Sequence, residues 1–216
     1  PGIDDGAANA EQSMELIKGL QELGYKKFIT TPHILADMYP NTPDTIQRAH
    51  TNLLQAAGST LPLQYAAEYF LDETFDQFMQ ENKPLLCLHD KMILVEFSFI
   101  TTPLNFKQKL FQLQIRGYQP VLAHPERHLY FAHAKQMFDE LRDAGCLFAC
   151  NMLSFTGYYG KPAMELAAYL LKKDQVDFLG TDIHHGRHLD ALRNAHAVMP
   201  VVQKLADAGH LLNQRL

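Results

Sequence analysis

Long apolar runs are missing from this sequence. Nowhere in its 216 residues does a stretch approach the roughly 20 apolar residues of a membrane-spanning helix, so no membrane insertion is expected. A basic excess is missing too, and the net charge of −5 argues against a nucleic-acid partner, which usually draws on surplus lysine and arginine. Cysteine is scarce: Cys87, Cys146 and Cys150 all stand in apolar settings. An odd number of such thiols reads as buried, reduced cysteine in a cytoplasmic protein rather than a disulfide framework. The positions six past them are Ile93, Met152 and Thr156, so none begins the cysteine-to-arginine phosphate loop of thiolate phosphatases. No Gly-x-Gly-x-x-Gly or P-loop pattern occurs, which weakens a nucleotide-binding open sheet. Pro1–Gly6 does not have the character of a signal peptide. With no linker, repeat or low-complexity stretch, residues 1–216 read as one domain.

Helical and strand patterns alternate. Asn9 caps a helix running to about Leu23, with Gln12 in the capping-box position and Gly24 as the stop. Further helices are expected from Thr42-Pro43 to about Ala57, over Asp72–Gln80, Asn105–Arg116, Ala134–Ala144 and Pro162–Lys173, and from about Leu189 to Ala208 with a kink or split at Pro200. Between them lie six short apolar strands: Lys27–Thr30, Leu63–Ala67, Met92–Val95, Pro120–Ala123, Leu147–Cys150 and Val176–Leu179. Continuously apolar strands between helices imply an α/β fold with a parallel sheet under helices, either an open doubly wound sheet or a closed β/α barrel.

The residues after these strands carry the chemistry. His33, Glu68, Glu96 and His124 each follow a strand, and Asp182 and His184 leave another together, two residues apart. In a β/α barrel all of them share one rim, where active sites of such barrels sit. Carboxylates and imidazoles converging on one point suit a divalent transition metal, and these are numerous enough for more than one ion. Glu96 lies between Val95 and Phe97, where an unpaired carboxylate is costly, so a ligand role explains it well. Arg127 and Arg187 stand three residues past His124 and His184. Their planar guanidinium groups suit an oxyanion substrate. Asp4 or Asp5 caps the first helix or ligates a metal; spacing does not choose. Tyr158 and Tyr159 are candidate rim residues, His128, His133, His185 and His188 lie near the site, and Phe97 and Phe99 are expected in or near the core.

Taken together, Pro1–Gly6, Thr31-Pro32-His33, Ala67-Glu68, Val95-Glu96-Phe97-Ser98, Ala123-His124-Pro125-Glu126-Arg127 and Thr181-Asp182-Ile183-His184 resemble the polymerase-and-histidinol-phosphatase (PHP) superfamily. Within it they are closest to the bacterial protein-tyrosine phosphatases of capsule and exopolysaccharide operons. The resemblance implies a distorted seven-stranded β/α barrel with up to three divalent metals, Mn foremost, Fe or Zn otherwise. It implies metal ligation by Asp5 (over Asp4), His33, Glu68, Glu96, His124, Asp182 and His184. It also implies phosphate contacts from Arg127 and Arg187, help from Asp182 in leaving-group departure, and a phosphotyrosine protein, a bacterial tyrosine kinase, as partner. An oligomer is compatible with it. The family's first strand, carrying His-x-His, is expected to be missing, which would leave fewer metals and impaired activity. The competing expectations are a PHP phosphoesterase acting on histidinol phosphate or a nucleotide, and a catalytically impaired binding domain.

Overall fold

The computed structural model describes residues 1–58 and 61–216. The strands are β1 (Phe28–Thr30), β2 (His33–Ile34), β3 (Leu63–Tyr65), β4 (Glu68–Phe70), β5 (Met92–Glu96), β6 (Gln119–Ala123), β7 (Leu147–Asn151) and β8 (Phe178–Gly180). The helices are α1 (Ala10–Glu22), α2 (Pro43–Ala56), α3 (Glu73–Gln80), α4 (Phe106–Ile115), α5 (Gln136–Asp143), α6 (Lys161–Lys172), α7 (Gly186–Arg193) and α8 (Met199–Ala208). Every pairing between these strands is parallel: β1 with β3, and β2-β4-β5-β6-β7-β8 in that order.

The two sheets are one surface in practice. β1 and β2 are separated only by Thr31-Pro32, and β3 and β4 only by Ala66-Ala67. Hydrogen bonds from Ala66 N to Thr30 O (2.8 Å) and from Glu68 N to Pro32 O (3.0 Å) carry the pairing across both breaks. His33 and Glu68, expected just after their strands, therefore stand within strands and face one another in register.

Neighbouring strands follow sequence order, as they do around a β/α barrel. Among the described residues no ladder joins β8 to β1. The outer edge of β8 is met by the chain's end instead: the Asn213 side chain accepts from Leu179 N and donates to Leu179 O, both at 2.9 Å. A cavity of about 1320 Å³ lies between these edges, lined by Phe28, Thr30, Phe178 and Gly180 as well as by Leu16 and Leu63.

Side-chain alternation divides the sheet into two faces. Ile93, Val95 and Phe97 are fully buried in the main core under the helices, with Leu122, Phe148 and Phe138. Leu94, Val121, Ala123 and Phe178 make a smaller cluster on the opposite face. Glu96 is in phase with Leu94, so the last residue of β5 belongs to that inner face. A third cluster joins α1 and α7 to β1 and β3.

Local chemistry sets the helix ends. Asn9 Oδ1 accepts from Gln12 N, Thr42 and Thr45 form a reciprocal capping box ahead of Pro43, and Asp72 Oδ1 accepts from Phe75 N. The long C-terminal helix is split, but at Asn194–Val198; Pro200 instead occupies the first turn of α8. A proline there removes no intrahelical hydrogen bond. Of the helix expected over Ala134–Ala144 only Gln136–Asp143 is α-helical, and a 3-10 turn over Leu129–His133 precedes it. Phe97 is buried as expected, whereas Phe99 is 47% exposed, lying beyond the end of β5. The three thiols are free, and burial pushes Cys146 up to about 12, so it is no nucleophile.

Candidate metal centre

At the C-terminal ends of the strands, the predicted acids and imidazoles form one linked chain. Asp5 Oδ1 is 3.4 Å from His33 Nδ1 and 3.6 Å from His184 Nε2. On the other side His33 Nε2 is 3.8 Å from Glu96 Oε2, and His124 Nε2 is 3.5 Å from Glu96 Oε1 and 3.1 Å from Glu68 Oε1. His184 Nδ1 is 2.9 Å from the Asp182 carbonyl and 3.6 Å from its carboxylate. Residues drawn from Asp5 to His184 thus meet in one cluster.

Alternation alone would turn His124 to the face of Leu122. It does not go there, because the backbone enters the left-handed region at His124 (φ 31°), and the ring meets Glu68. Asp182 is also left-handed, at φ 48°. Each such conformation in a non-glycine residue costs about 1–3 kcal/mol and persists only where the surroundings impose it. Two neighbouring instances mark this rim as shaped for its side chains rather than for backbone ease.

The donor set fits divalent cations. Asp4, Asp5 and His33 offer atoms all within 4.8 Å of one another, and so do His33, Glu68 and Glu96. Glu68 and Glu96 are each only 4% exposed, two carboxylates side by side out of water. Burial first, and the Glu68 charge second, push Glu96 up to about 7. Burial works against charge on His33 and His124. The carboxylates around them prevail: the nearby Asp4 carboxylate with Glu68, Glu96 and Asp5 for His33, and Glu68 with Asp182 for His124, raise both to about 9. His33 Nδ1 is buried without a hydrogen bond although two carboxylates lie near it. Unspent acceptors around a buried imidazole are what a cation would satisfy.

Asp4 and Asp5 differ in their commitments. Asp4 accepts from Gly6 N (3.1 Å) and from His33 N (3.2 Å), tying the N-terminal segment to β2. Asp5 bridges the two imidazoles. Asn41 holds the same segment from behind, donating to Ile3 O and His33 O.

Arg127 reaches the cluster: its guanidinium donates to Asp182 Oδ2 at 2.7 Å and lies between the Phe99 and Tyr159 rings, 5.0 and 4.4 Å from their centres. Arg187 does not share this position. It is exposed at the start of α7, and among the described residues no ion pair or hydrogen bond joins it to the cluster. The equal offsets of the two arginines therefore do not produce equal places, because His124 leads into a buried 3-10 turn and His184 into a helix that faces solvent.

Three residues of the site are not among the site residues expected from the sequence. Buried Asn151, the last residue of β7, donates to Asp182 Oδ2 (3.0 Å) and to Tyr159 Oη (3.1 Å). The same strand-end rule finds it once β7 is read one residue longer. Glu126, fully buried, accepts from Asn151 N (2.8 Å) and Ser154 Oγ (2.7 Å). Phe99 stacks on the His124 ring. Of the nearby histidines, His188 accepts from His184 N at 3.2 Å and stacks on His185, while His128 is fully buried among Phe97, Tyr130 and Phe131.

A parallel α/β sheet carrying, at the C-terminal ends of its strands, a cluster of carboxylates and imidazoles that fits a divalent cation defines the class of this protein. The particular family follows from comparison with known proteins. Residues 1–206 match the model of the CpsB/CapC family, capsular polysaccharide synthesis, and the chain belongs to that family. It is 29% identical over 189 residues to the tyrosine-protein phosphatase YwqE of Bacillus subtilis, covering 86% of this chain and 74% of the relative. It is 26% identical over 193 residues to the tyrosine-protein phosphatase CpsB of Streptococcus pneumoniae, covering 85% of this chain and 79% of the relative. Its fold superposes on a crystal structure from work on YwqE and CpsB with a TM-score of 0.80 and 25% identity, covering 100% of this chain and 92% of that one; those proteins are described as metal-dependent tyrosine phosphatases.

Proposed function

We propose that this chain is a metal-dependent protein-tyrosine phosphatase. The observation that carries the reading is the continuous Asp5–His33–Glu96–His124–Glu68 and Asp5–His184–Asp182 cluster with Arg127 at its margin. Asp5, His33, Glu68, Glu96, His124, Asp182 and His184 are the proposed ligands. Divalent ions held there supply Lewis acidity and an activated water at neutral pH. The preferred ion is Mn, with Fe or Zn compatible with the mixed oxygen and nitrogen donors.

Arg127 binds the phosphoryl oxygens of the substrate and orients the ester for in-line displacement. To do so its guanidinium shares or exchanges its bond to Asp182. Arg187, exposed at the start of α7, is at most a secondary contact for the substrate in this reading. A phenolate leaving group, with a pKa of about 10, needs little protonation, so the site requires no strong general acid; Asp182 and His184 are the residues proposed to assist the departing oxygen.

The finer reading is a distorted barrel in which a further parallel strand, bearing His-x-His and counted seventh when β1–β2 and β3–β4 are each taken as one, lies between β8 and β1 and completes the set of ligands. The apolar cavity lined by both edge strands supports it. The natural substrate in this reading is a phosphotyrosine protein of the cytoplasm, a tyrosine kinase of polysaccharide synthesis. The test is a panel of phosphotyrosyl peptide, histidinol phosphate and nucleotide monophosphates, assayed with added Mn and with chelator. Metal-dependent preference for phosphotyrosine supports the reading. Preference for either other substrate class, or activity that survives exhaustive chelation, overturns it.

A further inference from the structure

We propose that Phe99 is the platform on which the aryl ring of a bound phosphate ester lies, so that this residue sets the preference for aryl over alkyl phosphates. The proposal rests on the phosphatase reading above and deepens it.

Phe99 lies outside β5, three residues past Glu96. Its ring is stacked on His124 with centres 5.4 Å apart and planes at 17°, and it lies 5.0 Å from the Arg127 guanidinium carbon. One of the most apolar side chains on the rim is thus held against a metal-ligand candidate and against the anion-binding arginine, yet remains 47% exposed. An exposed phenyl ring in such a place has no structural need to be there: the core is already closed by Phe97, which is fully buried.

The chemistry of an ester specifies the occupant. A phosphoryl group bound by Arg127 keeps its organic substituent one oxygen atom away from phosphorus. That substituent leaves the polar cluster past Phe99 or past Tyr159, the two rings that enclose Arg127. The Tyr159 hydroxyl is already bonded to Asn151, and Phe99 is the more open ring. An aryl group can lie on it by offset or edge contact; a small alkyl group leaves it uncovered. The loop is fixed rather than free to collapse, since Tyr130 Oη donates to Ser98 O at 3.1 Å and Ile100 N donates to Ser98 Oγ at 3.1 Å. Ile100 and Leu104, 88% and 87% exposed, extend the same apolar loop.

Two non-hydrolysable probes separate ring recognition from phosphate recognition. Phenylphosphonate and methylphosphonate are titrated calorimetrically into Mn-supplemented protein, with circular dichroism to verify folding of each variant. The wild-type protein is expected to bind phenylphosphonate about fivefold more tightly than methylphosphonate, the scale of one aromatic pair. Phe99→Ala brings the ratio close to one while leaving methylphosphonate affinity in place, and Phe99→Tyr keeps the ratio. Phe99→Leu, which conserves apolar bulk without a flat ring, lowers it and guards against a folding defect in the alanine variant. No aryl preference in the wild-type protein, an unchanged ratio in Phe99→Ala, or equal weakening of both probes overturns the proposal; equal weakening makes Phe99 merely a support for Arg127. Aryl preference without hydrolysis of phenyl phosphate removes the phosphatase reading and leaves the platform standing, whereas hydrolysis without preference does the reverse.

Discussion

Arg127 and Asp182 are joined by a 2.7 Å ion pair, in which the arginine proposed to hold phosphate is bonded to a carboxylate proposed to hold metal. Both are mostly shielded from water, at 24% and 20% side-chain exposure. The neighbouring Asn151 amide donates to the same Asp182 oxygen. A cation held by Asp182 would share this carboxylate with Arg127, which would couple loading of the metal to freedom of the arginine.

Replacing Arg127 by alanine separates these roles. Loss of a preorganised donor to developing phosphoryl charge lowers kcat by about a hundredfold or more. Metal content falls far less, because Asp182 keeps Asn151 and the cation. Turnover of an aryl phosphate and metal content by atomic emission, measured on the same preparation, check this. Unchanged turnover would remove Arg127 from the site chemistry. Arg187→Ala is expected to have a much smaller effect, in keeping with its exposed position on α7.

Glu96→Gln keeps the shape of the buried rim but removes one of two adjacent charges. The variant is expected to lose metal and activity together, since a neutral amide is a poor ligand for a divalent ion. In the metal-free state it is expected to be at least as stable as the parent, because burial and Glu68 both disfavour the Glu96 charge. Thermal melts with and without Mn measure both effects. A metal affinity equal to that of the parent would exclude Glu96 as a ligand.

Glu126 supports the site from beneath. Its buried carboxylate satisfies Asn151 N and Ser154 Oγ, and through Asn151 it fixes the partner of Asp182. Glu126→Ala leaves two buried donors unpaired and is expected to cost about 1–3 kcal/mol for each such group, visible in chemical denaturation. Glu126→Gln, which retains one acceptor, is expected to lose less. Equal stability of the alanine variant and the parent would show that water replaces the carboxylate.

Much of this centre is legible in the sequence because it follows from strand ends. Short apolar runs locate β5, β6 and β7 within a residue or two, and the acids and histidines that follow them meet in space. What escaped had local causes. The apolar run ends at Thr30 and Pro32 cannot donate to a ladder, yet the pairing resumes at His33 through the Pro32 carbonyl. Apolar character placed Phe99 in or near the core, but alternation stops constraining side chains where β5 ends at Glu96. The Asp4–Asp5 choice depends on which carboxylate the backbone of Gly6 and His33 consumes, a contact across 29 positions for His33 that spacing does not encode. Arg187 looked equivalent to Arg127 because offset along the chain says nothing of whether the next turn is buried.

Removal of metal exposes the electrostatics of the cluster to pH. In metal-free protein the folded-state values of His33 and His124 are raised to about 9 from the ordinary 6.5. Groups raised in this way stabilise the fold fully below the unfolded value and lose that contribution as pH rises through the folded one. Glu96, raised to about 7 from 4.5, has the same sign: its proton is held more tightly in the fold, so ionisation above pH 4.5 progressively destabilises it. The metal-free protein is thus expected to lose melting temperature between about pH 4.5 and pH 9, through Glu96 up to about pH 7 and through the two imidazoles above about pH 6.5. Cation binding requires the deprotonated ligands and strengthens over the same interval, so the Mn-loaded protein is expected to gain stability relative to the metal-free form as pH rises. Paired melting curves across that interval, with chelator and with Mn, test both slopes. Parallel curves separated by a constant offset would show that these imidazoles and carboxylates are not where the cation binds.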